Sequence, residues 1–417
     1  MSTTISPNLK EESAVSKDVS AKIRFGVDQV LANCPDELKT KRVGLLTNDA
    51  ATTATLPHPY ALSRQALAES EVNLVALFSP EHGIGAAAAD GAKIGDVKDL
   101  VTGLPVHSLY GKNFAPTDEM LSEIDVFVID VPDIGARFYT YIWTMSYILE
   151  KCAKVGMPIY VLDRPNPVGG VLEKAEGPLL DESTFNSLVG RWRIPIRHSL
   201  TMGELAKLWN TEREIGAELT VIPMSGWDRE MLWEDTGLSF VPTSPAMNSG
   251  EEALIYPGTT LFEGLNISEC RGTSFPFRGI GAPWIDSMKL ACWFNELGLE
   301  GVVARAMTFS PSDSWYKGES CGGVMLHVTD RDLFKPVASL LHLVHLIWMH
   351  YPEEVKWAEY PTANNYTGAD HFDRLIGDTE IRQVIEGRPS VDEIRGHIAK
   401  WTEVGDWSDR VKEHLLY

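Results

Sequence analysis

No apolar run in this chain approaches the ~18–20 residues needed to cross a bilayer. The N-terminal MSTTISPNLKEESAVSKDVS is polar and lacks the apolar core of a secretory leader. Residues 1–22 therefore read as a disordered tail on a cytoplasmic protein. Cysteine is scarce: five in 417 residues, widely spaced at Cys34, Cys152, Cys270, Cys292 and Cys321, with no CxxC. An odd, scattered set excludes a disulfide framework and fits a reduced compartment. Basic residues are in deficit, 37 Lys and Arg against 58 Asp and Glu, and the net charge is −21. Such a surface disfavours nucleic acid and anionic membranes as partners and suits a small, soluble substrate. There is no HExxH and no His/Cys ligand spacing, so no metal and no cofactor are expected. No GxSxG nucleophile elbow occurs. The nearest approach to a dinucleotide fingerprint, Gly83-x-Gly85-x-x-Ala88, is separated from its strand by Ser79-Pro80-Glu81-His82 and opens no amphipathic helix.

What is present is a pattern repeated three times. A short apolar run, VNLVALF, VFVI or IYVL, stops at a polar cluster holding a carboxylate. The clusters are Ser79-Pro80-Glu81-His82-Gly83, Asp130-Val131-Pro132-Asp133 and Asp163-Arg164-Pro165-Asn166-Pro167. Runs this short and rich in Val and Ile read as strands buried on both faces of a parallel sheet. Ligands of open α/β sheets bind beyond the carboxyl ends of the strands. That places Glu81, His82, Asp130, Asp133, Arg137, Asp163 and Arg164 on one acidic rim, joined by Asn48 at the end of a first strand over residues 42–46.

A 417-residue chain exceeds one ordinary core. The expected architecture is α/β: a doubly wound, mostly parallel sheet domain over residues 23–248, then a smaller α+β domain over 249–417. The junction falls in the Pro/Ser/Gly-rich VPTSPAMNSGEEALIYPG. A helix is expected over residues 136–155, with Gly156 past its end. Capping boxes at Thr201-x-x-Glu204 and Ser390-x-x-Glu393 open two more. The Gly/Ala/Asp-rich segment 83–99 reads as a long rim loop.

Glu81 sits where burial can raise a carboxyl pKa and make it a general acid, although a loop salt bridge explains it equally well. His82 reads as an orienter of that group or as a structural His. Asp133 suits catalysis or an N-cap of the following helix. Arg137, expected in the first helical turn, is misplaced for the helix dipole and well placed to receive a carboxylate. Tyr139 can stack on a sugar, and Asn166 can hydrogen-bond one. In the second half, Glu263, Asn266, Glu269 and Arg271 crowd one Gly-punctuated loop.

The segments VGLLTN, LFSPEHG, TGLPVHSLYG, DVPDIGARFYTY, VLDRPNPVGG, TMGELA, YPGTTLFEGLNISECRGT and the closing LLY resemble the NamZ-type exo-β-N-acetylmuramidase family, and span nearly the whole chain from about residue 25. The resemblance implies a Rossmann-like domain plus a smaller one, a site in the cleft between them, and release of N-acetylmuramic acid from the non-reducing end of peptidoglycan fragments. Glu81 and His82 fall on its SPEHG element, Asp133 and Arg137 on its Asp-x-Gly-Ala-Arg element. The chain departs from better-known members at Gly85, at Pro132 and at Ala246. The expected chemistry pairs Glu81 as acid either with a second carboxylate drawn from Asp133, Glu263 and Glu269 or with the substrate's own acetamido group, and assigns the lactyl carboxylate to Arg137 or Arg271. A non-catalytic muropeptide- or sugar-binding protein is the alternative from another class, with a nucleotide-dependent oxidoreductase behind it.

Overall fold

The computed structural model describes residues 23–88, 97–362 and 365–417. The expected N-terminal tail and much of the rim loop lie outside the described residues. Seven strands form the first sheet: β1 Val43–Leu46, β2 Leu74–Ser79, β3 Val97–Lys98, β4 Pro105–Ser108, β5 Val126–Ile129, β6 Ile159–Leu162 and β7 Leu219–Ile222. Their order is β3-β4-β2-β1-β5-β6-β7, parallel except for the short β3 at one edge. The chain lays down one side of the sheet from β1, then returns to build the other from β5. The switch point is therefore between β1 and β5, where a ligand crevice is expected.

Alternation explains the continuous apolar runs. Phe127, Ile129, Ile159 and Val161 pack into one core, while Val126, Val128, Tyr160 and Leu162 pack into the other. β5 and β6 are buried on both faces, so no polar alternation appears in their sequences.

The expected helix over 136–155 is shorter than its apolar spacing suggests. It runs Tyr141–Val155 (α1) and ends at left-handed Gly156. Residues 136–140 are pulled out of helix by another partner: Ala136 bridges Arg197, and the Arg137 amide donates to the Ile196 carbonyl at 2.7 Å. The Thr201/Glu204 capping box opens Met202–Glu212 (α2) as expected. Trp209 of α2 stacks on Trp143 of α1, with centroids 5.1 Å apart.

The expected junction contains a helix, Gly250–Thr259 (α3), followed by a 3-10 turn, Thr260–Gly264. A second sheet, antiparallel, has the order β8-β10-β9, with β8 Gly279–Ala282, β9 Val302–Phe309 and β10 Cys321–Val328. Pro336–His350 (α4) packs on α3, and a short helix, His371–Ile376 (α5), packs on the Thr260–Gly264 turn. One apolar core runs from the α1 face of the large sheet through α3, the small sheet and α4. Among the described residues no helix is long and apolar enough to cross a membrane.

Candidate active site

One cleft, with about 700 Å³ of empty space counted out to its open mouth, is of the size of small-molecule sites. Glu81 and His82 enter it from the end of β2. Tyr139 and Thr140 enter from the segment before α1, Ser244 and Tyr256 from the stretch leading into and through α3. Glu263, Arg271, Phe277, Tyr360 and His371 also line it.

Glu81 is 8% exposed, and its Oε2 accepts the Thr140 hydroxyl at 2.7 Å. His82 adopts φ +65°, and its Nδ1 lies 2.7 Å from the Ala88 carbonyl, which turns the chain sharply after the strand. Glu263, in the same lining, is held at both oxygens. Arg271 Nη2 meets Oε1 at 2.7 Å, and His371 Nε2 lies 3.3 Å from Oε2. Tyr139 donates its hydroxyl to Thr243 Oγ1 at 2.7 Å, and burial pushes that phenol well up, so it stays neutral.

Glu81, His82, Tyr139, Glu263 and Arg271 are thus brought together as the sequence suggests. Glu269 stands behind them. It is fully buried, pairs with Arg271 Nε at 2.7 Å and does not line the cleft. From there it braces Arg271.

The remaining expected site residues serve the fold. Arg137 is the largest correction. Its side chain is fully buried and donates to the carbonyls of Pro178, Ile194, Leu375 and Ile376 at 2.6–3.0 Å. Burial pulls this guanidinium down to about 9, which still leaves it a cation at neutral pH. With these donors committed it cannot grip a lactyl carboxylate. Asp133 caps no helix: its Oδ2 accepts the Gly135 amide at 2.8 Å and faces His198 Nε2 at 3.1 Å. Gly135 at φ +79° has no room for a side chain, since a Cβ would lie 2.4 Å from Asn166 Oδ1. Asn166 itself closes a turn by accepting the Val168 amide and donating to the Leu200 carbonyl.

At the switch point, Asp130 and Arg164 form a bidentate pair at 2.6 and 3.0 Å, and Arg164 also reaches the Thr52 carbonyl and Ser63. Asn48 donates to the Tyr141 hydroxyl at 3.2 Å and accepts the Ala50 amide. These side chains pair with one another beside a smaller cavity lined by Thr52, Pro132, Asp133 and Arg164, and the cleft holding Glu81 is a separate one. Asn266 points away from it and clips the chain at Glu354 and Lys356.

Asp163 is also structural. It accepts the Gly203 amide at the start of α2, the Thr201 hydroxyl and the hydroxyl of the closing Tyr417 at 2.7–2.9 Å. Burial outweighs these donors and pushes its carboxyl up to about 6. The folded value lies above the unfolded value of about 3.9, so the folded chain holds this proton more tightly. The resulting stabilisation is full below about pH 4 and is lost as pH rises through 6. Urea midpoints of the wild type should carry a component that falls between pH 4 and 7, worth at most about 3 kcal/mol, which Asp163→Asn removes. An unchanged slope in the variant would reject this account.

Sequence reasoning missed Thr140, Tyr256, Tyr360 and His371. Thr140 stands inside the DVPDIGARFYTY segment and was reachable from it. His371 is surrounded by no motif, so only the packing of α5 reveals it.

Two family models match the chain: exo-β-N-acetylmuramidase NamZ, N-terminal, over residues 43–251, and the corresponding C-terminal model over residues 254–417. The chain is 42% identical over 412 residues to the peptidoglycan β-N-acetylmuramidase NamZ of Bacillus subtilis, covering 99% of this chain and 94% of that protein. Two crystal structures of DUF1343 family proteins from Bacteroides fragilis are similar in fold. One has TM-score 0.82 at 34% identity, the other 0.72 at 28%, and each comparison covers 95% of this chain and 99% of the other. With both halves matched in order and a relative this similar end to end, the chain belongs to the NamZ exo-β-N-acetylmuramidase family.

Proposed function

We propose that this protein releases N-acetylmuramic acid from the non-reducing end of peptidoglycan fragments, in the cleft between its two sheets. The observation that carries the reading is that two nearly buried carboxylates, Glu81 and Glu263, line one cleft. Glycoside hydrolysis uses such a pair. Glu81 gives its proton to the leaving oxygen as the C1–O bond breaks. Glu263 faces the ring side and stabilises the positive charge that develops there; water supplies the new C1 hydroxyl, and the proton it loses returns to the Glu81 carboxylate. Glu263 is preferred to Asp133 and Glu269 for the second role, since neither of those lines this cleft. Among the described residues Arg271 is the guanidinium on the cleft wall, and we assign it the lactyl carboxylate. Tyr139 and Tyr256 offer aromatic surface for the sugar.

The family relationship supports this reading over a purely binding role. The test is release of 4-nitrophenol from the β-glycosides of N-acetylmuramic acid and N-acetylglucosamine. Muramide-selective release is expected; no release from either sugar would sink the proposal.

A further inference from the structure

We infer that His371 is a positioning residue for this hydrolysis, holding the Glu263 carboxylate in the orientation that faces the bound sugar. The inference rests on the reading of Glu81 and Glu263 as the working carboxylates. A carboxylate offers about four acceptor directions over its two oxygens. At Glu263 one direction on each oxygen is occupied from the protein side, by Arg271 at 2.7 Å and by His371 at 3.3 Å. One donor alone would leave the group free to swing about a single contact. Two donors on different oxygens fix its plane and leave its other lone pairs for the cleft.

His371 is itself held. The Tyr360 ring lies nearly flat on the imidazole, with centroids 4.7 Å apart and planes 21° apart. Its helix, α5, sits tight against the turn that carries Glu263. Gly264 makes this possible, because a Cβ there would lie 2.5 Å from Phe372 Cβ. The far end of α5 is anchored by Arg137, whose Nη2 donates to the Leu375 and Ile376 carbonyls at 2.7 and 2.9 Å. Arg137 stands three residues before Thr140, the residue whose hydroxyl holds Glu81. One short segment therefore grips both the Glu81 carboxylate and the helix that delivers His371 to Glu263. The separation of the two carboxylates is set by this closed circuit of contacts, and small misplacements of reacting groups cost rate steeply.

The experiment measures kcat and KM on the muramide glycoside for wild type, Glu81→Gln, His371→Ala and His371→Gln, with circular dichroism confirming the fold. His371→Ala is expected to lower kcat by about 10–100-fold with KM near that of the wild type. His371→Gln, whose side-chain amide replaces the Nε2–H donor, is expected to recover most of the loss. If the Ala variant does not fold, His371→Asn, too short to reach Glu263, takes its place. Unchanged kcat in the Ala or Asn variant, a rise in KM alone, or a Gln variant no better than Ala would each overturn the inference. Wild-type release that Glu81→Gln sharply lowers leaves the functional reading standing whatever His371 does. No release by the wild type overturns that reading and this inference with it.

Discussion

Glu81→Gln lowers kcat on the muramide glycoside by about 10²–10⁴-fold, with the thermal unfolding curve unchanged. The expectation follows from geometry. The glutamine keeps the size of the glutamate and can still accept the Thr140 hydroxyl through its amide oxygen, so the loop at the end of β2 stays in place. What disappears is the acidic proton. The loss should be deeper for leaving groups that need protonation and shallower for 4-nitrophenol, which departs more readily without help. Parallel assays on the chromogenic glycoside and on a disaccharide fragment read this difference. Near wild-type turnover on the disaccharide would remove Glu81 from the reaction and shift attention to Glu263.

The second large effect is on folding. Arg137→Ala leaves four buried carbonyls, on Pro178, Ile194, Leu375 and Ile376, without their donors, and leaves a void where a guanidinium stood. Each stranded carbonyl costs about 1–3 kcal/mol, so the variant should lose at least about 4 kcal/mol. Much of it should be recovered unfolded. Arg137→Lys keeps a charge but not a planar fork that serves separate segments, so it should fall between the two. Denaturant midpoints measure the series. The muramide-to-glucosaminide rate ratio of whatever folds should stay at the wild-type value. A folded Arg137→Ala protein that has lost its preference for the muramide would restore the arginine as a reader of the lactyl group.

These two residues show where sequence patterns carry chemistry and where they mislead. Glu81 and Arg137 look alike from the sequence: each is a charged group just past a buried strand, in a segment shared with the same family. The strand that precedes Glu81 delivers it to the cleft directly, so local order is enough. The position of Arg137 depends on Ile196 drawing residues 136–140 out of the helix, and on α5, more than 230 residues later, presenting its carbonyls to the guanidinium. The acidic rim suffered the same way. Asp130, Asp163 and Arg164 stand at strand ends as expected, but the rim closes on itself, with Asp130 paired to Arg164 and Asp163 to α2 and Tyr417. Polar residues at a switch point can fill the crevice as well as line it, and only the packing tells which.

The sequence by itself determined the parallel sheet, because strands buried on both faces must be continuously apolar. It determined the α2 cap, because Thr201 and Glu204 satisfy each other's neighbouring amides, and it determined the family, because long unusual segments recur in order. The tertiary structure decided which charges are free for chemistry. Burial and hydrogen bonding are set by what packs against a residue, and those partners come from distant parts of the chain. Glu263 became a cleft carboxylate because Gly264 lets α5 approach; Arg137 became a brace because four carbonyls surround it. His371, with no signature around it, acquired its place from contacts alone.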